Sequence, residues 1–386
     1  MTVSTRLGSY ETRTIAQETI RAYIPAPLPP QPPLVWTVQL EELLEKANIA
    51  LGRLDGLAGL LPDVSIFIYL YVRKEATLSS QIEGTQSSLS DLLLFESQQM
   101  PGVPLDDVQE VSRYVAAMNH GLMRLRNGFP LSNRLLREIH EVLMTGARGS
   151  DRSPGEFRRS QNWIGGTRPG NAVFVPPPFE HLEQLMADLE RFWHDQPIRT
   201  PTLVKAALSH LQFETIHPFL DGNGRLGRLL ITLLLCNEHV LQEPILYLSL
   251  YFKKHRQTYY ELLQRVRLEG VWEVWLEFFL TGVLETATQA VQTSKAMLEL
   301  LATDRRTLED LKQASSVTLQ IHQYLQKKLF VSAPQLSQYL GITAKTTLAA
   351  LEKLQGLGII REITGKQRDR IWVYQRYLDV LEQGLN

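Results

Sequence analysis

The stretch His217-Pro218-Phe219-Leu220-Asp221-Gly222-Asn223-Gly224-Arg225-Leu226-Gly227-Arg228 places an imidazole, a carboxylate, a carboxamide, three glycines and two arginines within twelve residues. Residues 229–236 follow as an almost uninterrupted apolar run, which predicts a buried helix. The polar loop therefore ends at a helix N-terminus, where free N–H groups and the helix dipole favour anions. Glycines allow the backbone to close on a ligand, and Arg225 and Arg228 project from one helix face.

This loop has the residue types that phosphate chemistry needs. One histidine with one aspartate gives too few ligands for zinc, whereas one carboxylate plus substrate phosphates is a common magnesium arrangement. Asp221 is therefore a candidate magnesium ligand. His217 is a candidate general base for a hydroxyl nucleophile, because the pKa of histidine lies near the working pH. Backbone amides and the arginines would neutralise charge on a reacting phosphate.

Composition restricts the class of protein without identifying it. A chain of 386 residues predicts about two or three domains, and 44% hydrophobic with 21% charged residues is ordinary for a soluble protein. A formal net charge of −1 gives no global reason to expect nucleic acid or an anionic membrane as partner. A single cysteine cannot form an internal disulfide, and no apolar run has signal-peptide or membrane-spanning character. We therefore expect a cytoplasmic protein with no membrane partner.

The remaining chain is organised mainly as helices. The N-terminal segment is polar and expected to be mobile, and the prolines of residues 25–33 predict an extended strap over the domain surface. Apolar residues at helical spacing predict helices over residues 37–60, 64–74, 108–125, 133–144, 181–193, 201–214, a segment ending near 267, and 271–286. Residues 155–178 interrupt this pattern with glycines and prolines around a short apolar run, which predicts a β-hairpin or extended flap. So long an irregular segment in a helical domain is more often functional than accidental.

Two further stretches carry polar groups that helical packing does not need. Ser79 and Glu83 lie four residues apart, on one face if the preceding helix reaches them, and Gly84 suits a helix end. Taken alone, this stretch is better explained as a polar helix end with a glycine cap. Tyr259 and Tyr260 are adjacent on a helix, so only one of them is expected to face a given site; core packing also explains the pair.

The C-terminal part reads as a separate unit. Residues 331–374 show the order helix, turn, helix and two strands, which is that of a winged helix. Six basic and three acidic residues give this stretch a charge of +3, concentrated in the wing. Contact with DNA through Lys345 and Thr346 on the groove helix is one expectation. Contact with protein is the other, and the sequence leaves both open.

The loop resembles the signature of the Fic family, His-Pro-Phe-x-(Asp/Glu)-Gly-Asn-Gly-Arg-x-x-Arg, at all nine specified positions. The resemblance extends over about residues 35–290 and includes the flap and the tyrosine pair. It implies a mainly α fold, a Fic-type helical bundle with a short β-hairpin flap, followed by a C-terminal winged-helix domain. The implied division is 1–105 for an N-terminal helical region with an inhibitory helix at about 64–84, 106–290 for the catalytic core, 291–315 for a linker helix and 316–386 for the winged helix.

The resemblance also implies an activity, the transfer of AMP from ATP to a hydroxyl side chain (Ser, Thr or Tyr) of a target protein. His217 would deprotonate that hydroxyl, Asp221 would hold Mg²⁺, and the flap would bind the target segment by strand addition. The implied nucleotide-binding residues are Phe219 as an anchor of the loop, Gly222, Asn223 and Gly224 as an anion hole, Arg225, Leu226, Gly227 and Arg228 along the phosphates, and Tyr259 or Tyr260 at the adenine.

In the light of this resemblance, Ser79, Glu83 and Gly84 match the family's inhibitory motif, (Ser/Thr)-x-x-x-Glu-(Gly/Asn). Glu83 is expected to pair with Arg228 and so occupy the arginine that orients the γ-phosphate. Two alternatives stay open: a de-AMPylase that removes AMP at the same site, and a DNA-binding regulator whose Fic domain senses nucleotide. Expected partners are a target protein of unknown identity, the protein itself through self-modification, DNA, and a second copy in a homodimer.

Overall fold

The computed structural model describes residues 6–15, 17–60, 64–96, 103–146, 152–310 and 316–382. These residues form helices and two small antiparallel sheets. Within these ranges no helix has the apolar length that crossing a membrane requires. The strands are β1 (Ser9–Ile15), β2 (Glu18–Ile24), β3 (Phe330–Ser332), β4 (Arg361–Glu362) and β5 (Ile371–Val373). The helices are α1 (Val38–Leu60), α2 (Val64–Ile82), α3 (Leu89–Glu96), α4 (Leu105–Arg126), α5 (Asn133–Met144), α6 (Leu182–Trp193), α7 (Thr202–Ile216), α8 (Asn223–Asn237), α9 (Ser249–Lys254), α10 (Arg256–Glu269), α11 (Trp272–Glu309), α12 (Ser316–Lys327), α13 (Ala333–Leu340), α14 (Ala344–Gly356) and α15 (Gln375–Glu382).

The centre of the fold is the helix pair α7 and α8. Every residue of α7 from Leu203 to Ile216 is buried, and the leucines of α8 are buried on all sides of that helix. Helices α2, α4, α5, α6, α10 and α11 pack around the pair. A helix enclosed on every side needs no polar face, which is why the apolar run of residues 229–236 predicted it. The loop between the two helices is thus fixed at both ends by the core.

Residues 9–15 and 18–24 of the N-terminal segment are strands and not the mobile stretch that their polarity suggested. Strands β1 and β2 form an antiparallel hairpin in which Ser9 pairs with Ile24 and Ile15 with Glu18. Ile20 and Ala22 of β2 form a small apolar cluster with Val175. The expectation was wrong because alternate apolar residues in β2 supply one buried face, a weaker signal than the surrounding polar residues.

The flap is tied to this hairpin. It contains one antiparallel bridge, between Ile164 and Phe174, and a short 3-10 turn at Pro169–Asn171. Glu18 of β2 forms an ion pair with Arg168 at 2.9 Å and accepts a hydrogen bond from the Gly170 amide at 2.7 Å. The predicted hairpin is therefore present as a short one whose tip is held by the N-terminal strands.

Two helices run further than the sequence pattern indicated. The segment predicted as residues 64–74 continues in α2 to Ile82, and Gly84 follows with φ +105°, a conformation that glycine adopts without strain. Helix α11 runs without a break from Trp272 to Glu309. The expected boundary between catalytic core and linker at residue 290 therefore lies inside one helix, and residues 311–315 lie outside the described ranges.

The C-terminal residues form helix α12, strand β3, helices α13 and α14, strands β4 and β5, and helix α15, with the strands in the order β3-β5-β4. Ser332 and Gln335 form a capping box at the start of α13. Lys345 and Thr346 lie exposed in the first turn of α14. The assignment of this unit as a winged helix stays a prediction.

Candidate active site

The loop between α7 and α8 is held in an unusual conformation by its own side chains. His217 has φ +51° and Gly222 has φ +75°, both in the left-handed region. For a residue with a Cβ this costs about 1–3 kcal/mol, so the surrounding contacts must enforce it. Asn223 supplies two of them: its Nδ2 donates to the Phe219 carbonyl and its Oδ1 accepts from the Phe219 amide, both at 2.9 Å. The Asn223 side chain thus closes the loop on itself.

Residues outside the loop support it from the core. Phe219 is fully buried, and its ring stacks on His140 with centroids 3.8 Å apart. Nδ1 of His140 accepts from the Gly155 amide, so its Nε2 is the nitrogen that donates to the Asp221 carbonyl at 3.0 Å. Arg158 is also buried, and its Nε donates to the His217 carbonyl at 3.0 Å while its NH2 donates to the Pro177 carbonyl at 2.6 Å. No sequence pattern marks Arg158, because its partners are backbone carbonyls.

His217 is a buried imidazole that carries no charge at neutral pH. Burial, and then the guanidinium groups of Arg158 and Arg267, lower the pKa of His217 to about 3. So low a pKa makes this imidazole a weaker base than an ordinary histidine. Its Nδ1 is enclosed by the protein. A neutral imidazole that reaches a substrate hydroxyl can act as a general base.

A cavity of about 300 Å³ opens beside the start of α8. Its lining residues from the loop and α8 are His217, Leu220, Asp221, Gly222, Asn223, Gly224 and Arg225, and those from elsewhere are Glu83, Gly84, Thr85, Asp107, Glu110 and Arg152. Arg225 is buried and forms an ion pair with Glu110 of α4 at 2.9 Å. We call this space the phosphate cavity, because it combines a helix N-terminus, glycines and an arginine.

Asp221 is the loop carboxylate that opens toward the phosphate cavity, with 38% of its side chain exposed. Its carboxylate lies 3.7 Å from Arg225 and 3.9 Å from Arg152. Among the described residues no group of three or more His, Cys, Asp or Glu side chains could hold a metal ion. A single exposed carboxylate is the kind of donor that a hard cation takes from a protein when phosphate and water supply its other ligands.

A second cavity of about 300 Å³ lies between the flap and α10, and we call it the base cavity. It is lined along α10 by Tyr259, Tyr260, Leu263, Gln264 and Arg267, and by flap residues that include Ile164 and Phe174. At about 100° per residue these five positions cover a helical face about 140° wide. Both adjacent tyrosines thus line it, and the expectation that only one would face a given site was wrong. Tyr259 is 1% exposed and Tyr260 39%.

Glu83 lies where the two cavities meet, because Glu83, His217 and Gly224 line both of them. Arg228 NH2 donates to Glu83 Oε1 at 2.6 Å, and Ser79 accepts from Arg228 twice, at its Oγ (2.9 Å) and at its carbonyl (3.0 Å). Partial burial alone would raise the pKa of Glu83, but the Arg228 guanidinium outweighs it and holds that pKa below the ordinary value. A Cβ on Gly224 would overlap Glu83 Oε1, so this glycine lets the carboxylate approach the loop.

Two parts of the chain match known protein families. Residues 41–123 match the model of the Fic/DOC family N-terminal region, and residues 130–235 match that of the Fic/DOC family. The chain is a Fic domain protein. The second match ends inside α8, so it contains the whole loop from His217 to Arg228. The first contains Ser79, Glu83 and Gly84.

Curated relatives include the Protein adenylyltransferase Fic of Drosophila erecta, 32% identical over 157 residues, which are 40% of this chain and 30% of that protein. The Protein adenylyltransferase Fic of Aedes aegypti is 33% identical over 188 residues, 47% of this chain and 34% of that protein. The Fic domain protein thus spans about a third of the length of the curated relatives it matches.

Solved structures show the fold. A Fic family protein from Desulfovibrio desulfuricans aligns over 89% of this chain and 98% of its own, with a TM-score of 0.59 and 21% identity. A Fic domain containing signaling protein from Bacteroides thetaiotaomicron aligns over 67% of this chain and 97% of its own, with a TM-score of 0.52 and 19% identity. The expected mainly α fold of a Fic domain is confirmed.

Not every expected nucleotide-binding residue of the Fic domain lines a cavity. Leu226 is fully buried in the core, and the Gly227 carbonyl accepts from His210 Nδ1 at 2.9 Å. Neither residue lines the phosphate cavity or the base cavity. Conversely, Glu110, Glu214 and Arg267 line these cavities although no motif singled them out. Each of the three depends on a helix packed beside the loop, which the loop's own sequence cannot reveal.

Proposed function

We propose that this protein is an adenylyltransferase that moves AMP from ATP to a Ser, Thr or Tyr hydroxyl of a target protein, and that the pair Glu83–Arg228 restrains it. One observation carries the proposal: the neutral His217 lines both the phosphate cavity and the base cavity. A nucleotide that fills both cavities would place its α-phosphate beside this imidazole. The names of the curated relatives support the same reaction class.

The two cavities divide the nucleotide between them. The amides at the start of α8 and the Arg225 guanidinium would bind the β- and γ-phosphates, since both present N–H donors to anions. Tyr259 and Tyr260 would flank the adenine in the base cavity. Asp221 would hold Mg²⁺, and the bound ion would neutralise charge on the phosphates. His217 would then take the proton of the target hydroxyl while its oxygen bonds to the α-phosphorus and pyrophosphate leaves.

The restraint follows from the partners of Arg228. Three of the five N–H groups of the Arg228 guanidinium donate to Ser79 and Glu83, and the Glu83 carboxylate would repel a γ-phosphate that approached the same guanidinium. A triphosphate that lacks this contact would settle with its α-phosphate out of line, and misplacement by about 1 Å costs about 10²-fold in rate. Departure of Glu83 from Arg228 is therefore the activating step of the proposal.

The flap would position the target. Val173 lies beside the bridge of Ile164 and Phe174 and is 69% exposed, so an extended segment can approach there. Strand addition would place a hydroxyl of that segment over His217, using backbone hydrogen bonds that do not depend on the target's sequence.

A lysate experiment tests the proposal. The Glu83→Gly protein is incubated with a cell lysate and ATP labelled at the α-phosphate, and the labelled proteins are identified by mass spectrometry. We expect one or a few labelled hydroxyl residues, and no label with the Glu83→Gly, His217→Ala protein. Equal labelling by the two proteins would remove His217 as the base, and no labelling by either would contradict adenylyl transfer.

Removal of AMP from a modified target is a second candidate, because the Glu83 carboxylate lines both cavities next to His217. In that reaction a carboxylate could activate water on the α-phosphate. The test is mass spectrometry of a modified target incubated with the wild-type protein. Loss of AMP that depends on Glu83 would favour removal, and its absence would leave transfer as the activity.

A DNA-contacting role for residues 316–382 is favoured by the exposed Lys345, Lys366 and Arg368. Phosphate contacts make affinity fall steeply with salt. Binding of the full chain to DNA fragments at two salt concentrations is the test. Sequence-selective binding that weakens with salt would support a regulator, and none would favour protein contact.

A further inference from the structure

A buried carboxylate without a partner lines the base cavity. Glu214 lies in α7, one turn before His217, and is 7% exposed. Its Oε1 has no hydrogen-bond partner in the described ranges of the chain. The two nearby guanidinium groups are engaged elsewhere: Arg228 with Glu83 and Ser79, and Arg267 with the Thr215 hydroxyl at 3.1 Å and the Glu214 main-chain carbonyl at 3.2 Å.

Burial of this carboxylate lowers the stability of the folded protein. A buried carboxylate that lacks hydrogen bonds destabilises the protein, and burial raises the pKa of Glu214 to about 7. The fold nevertheless makes room for it. A Cβ on Gly227 would lie 2.5 Å from Glu214 Oε1, so a larger residue at 227 would have to displace the carboxylate. Gly227 thus serves the placement of Glu214 rather than a phosphate contact.

The rest of the base cavity suits a flat ring. Phe174, Tyr259 and Tyr260 supply aromatic surface, and Ile164 and Leu263 supply aliphatic surface. Rings of nucleobases stack on such surfaces, but stacking alone does not distinguish one base from another. Discrimination requires a polar group at a fixed position, and the carboxylate of Glu214, which lines this cavity, is a hydrogen-bond acceptor.

We infer that Glu214 reads the nucleobase, by accepting a hydrogen bond from the 6-amino group of adenine. The inference rests on the proposed function in taking a nucleotide as the ligand. Unsubstituted purine has the same rings and the same N1 acceptor but carries only a hydrogen atom at position 6. Without the amino group, the buried acceptor would stay unpaired.

Direct binding tests this without any transfer reaction. AMP and purine riboside 5′-monophosphate, which differ only by the 6-amino group, are titrated into the Glu83→Gly protein by calorimetry at pH 8, above the raised pKa of Glu214. We expect AMP to bind about tenfold or more tightly than the purine nucleotide, as for the loss of a hydrogen bond to a charged group. In Glu214→Gln, whose neutral amide accepts a weaker hydrogen bond than a carboxylate, the ratio of the two affinities should fall to about threefold or less. Equal affinities for the two nucleotides before this substitution would overturn the inference, whether or not Glu214→Gln folds.

A matched control lies in the same cavity. Gln264 also lines it but already carries a group that both donates and accepts. Gln264→Ala should weaken the binding of both nucleotides and leave the ratio of their affinities unchanged. If Glu214→Gln leaves the ratio of the two affinities unchanged, or if Gln264→Ala makes the two affinities equal, another group reads the base and the inference is overturned. If the protein discriminates between the two nucleotides but transfers no label, the proposed function is contradicted and the inference about Glu214 stands.

Discussion

Replacing Glu83 by glycine should lower the melting temperature of the free protein and should increase the stabilisation that ATP gives. The substitution removes a carboxylate bonded to Arg228 at 2.6 Å, while Ser79 keeps its two bonds to the same guanidinium. Breaking a buried ion pair costs about 3–5 kcal/mol. The Glu83 side chain is 36% exposed whereas that of Arg228 is 1% exposed, so screening by solvent favours the low end, about 3 kcal/mol. The melting temperature of the free protein should therefore fall by several degrees.

ATP should restore the melting temperature that the Glu83→Gly protein loses. Arg228, free of Glu83, can bind the γ-phosphate, and a ligand at 100 times its Kd stabilises the folded state by about 2.7 kcal/mol. Thermal melts with and without ATP and Mg²⁺ measure the effect, with AMP as the ligand that lacks the γ-phosphate. Ser79→Ala is the matched control: it removes one other acceptor of Arg228, the Ser79 hydroxyl, but leaves Glu83 and the Ser79 carbonyl, so it should destabilise without a larger ATP shift. Equal ATP shifts in wild type and Glu83→Gly would refute the reasoning.

Three further perturbations have defined outcomes. His217→Ala should abolish label transfer but preserve ATP affinity in titrations, and transfer retained by His217→Ala would exclude His217 as the base. In the Glu83→Gly protein, protonation of His217 should cause no decline of transfer from pH 8 to pH 5.5, because the pKa of His217 is lowered to about 3. Asn223→Ala should lower the free energy of unfolding by about 1–3 kcal/mol and reduce transfer at least as strongly, since it opens the loop at Phe219; unchanged urea melts would contradict that. Lys74 is buried and donates to the Leu381 carbonyl at 3.0 Å, and burial lowers its pKa from 10.5 to about 8. The unfolded chain then binds more protons between pH 8 and pH 10.5, so stability should rise with pH in this window by up to about 3 kcal/mol relative to Lys74→Met; parallel curves for the two proteins would show that the lysine is not perturbed.

The parts of the site that sequence reasoning found are those encoded locally. The loop from His217 to Arg228 and helix α8 are contiguous, so residue types and their spacing describe them fully. The bonds between Asn223 and Phe219 join residues only four apart. Ser79 and Glu83 were found by their motif, since the periodicity of α2 alone stopped at residue 74. Their contact with Arg228 spans well over a hundred residues and required the fold.

What sequence reasoning missed depends on such distant contacts. Arg158 binds backbone carbonyls, which every residue type possesses, and Glu110 meets Arg225 across two helices. The hairpin of β1 and β2 was expected to be mobile because Ile20 and Ala22 are covered by Val175, which comes from a remote segment. The boundary at residue 290 was implied by the family resemblance, and in the structure α11 passes through it as one helix.

The position of the label in ATP tests the central claim most directly. Glu83→Gly protein is incubated separately with ATP labelled at the α-phosphate and ATP labelled at the γ-phosphate, and label retained on protein after denaturation is counted. The account predicts that protein keeps the α-label and none of the γ-label, and that His217→Ala in the same background keeps neither. Retention of the γ-label would mean that a phosphoryl group is transferred, and it would contradict an α-phosphate held at His217.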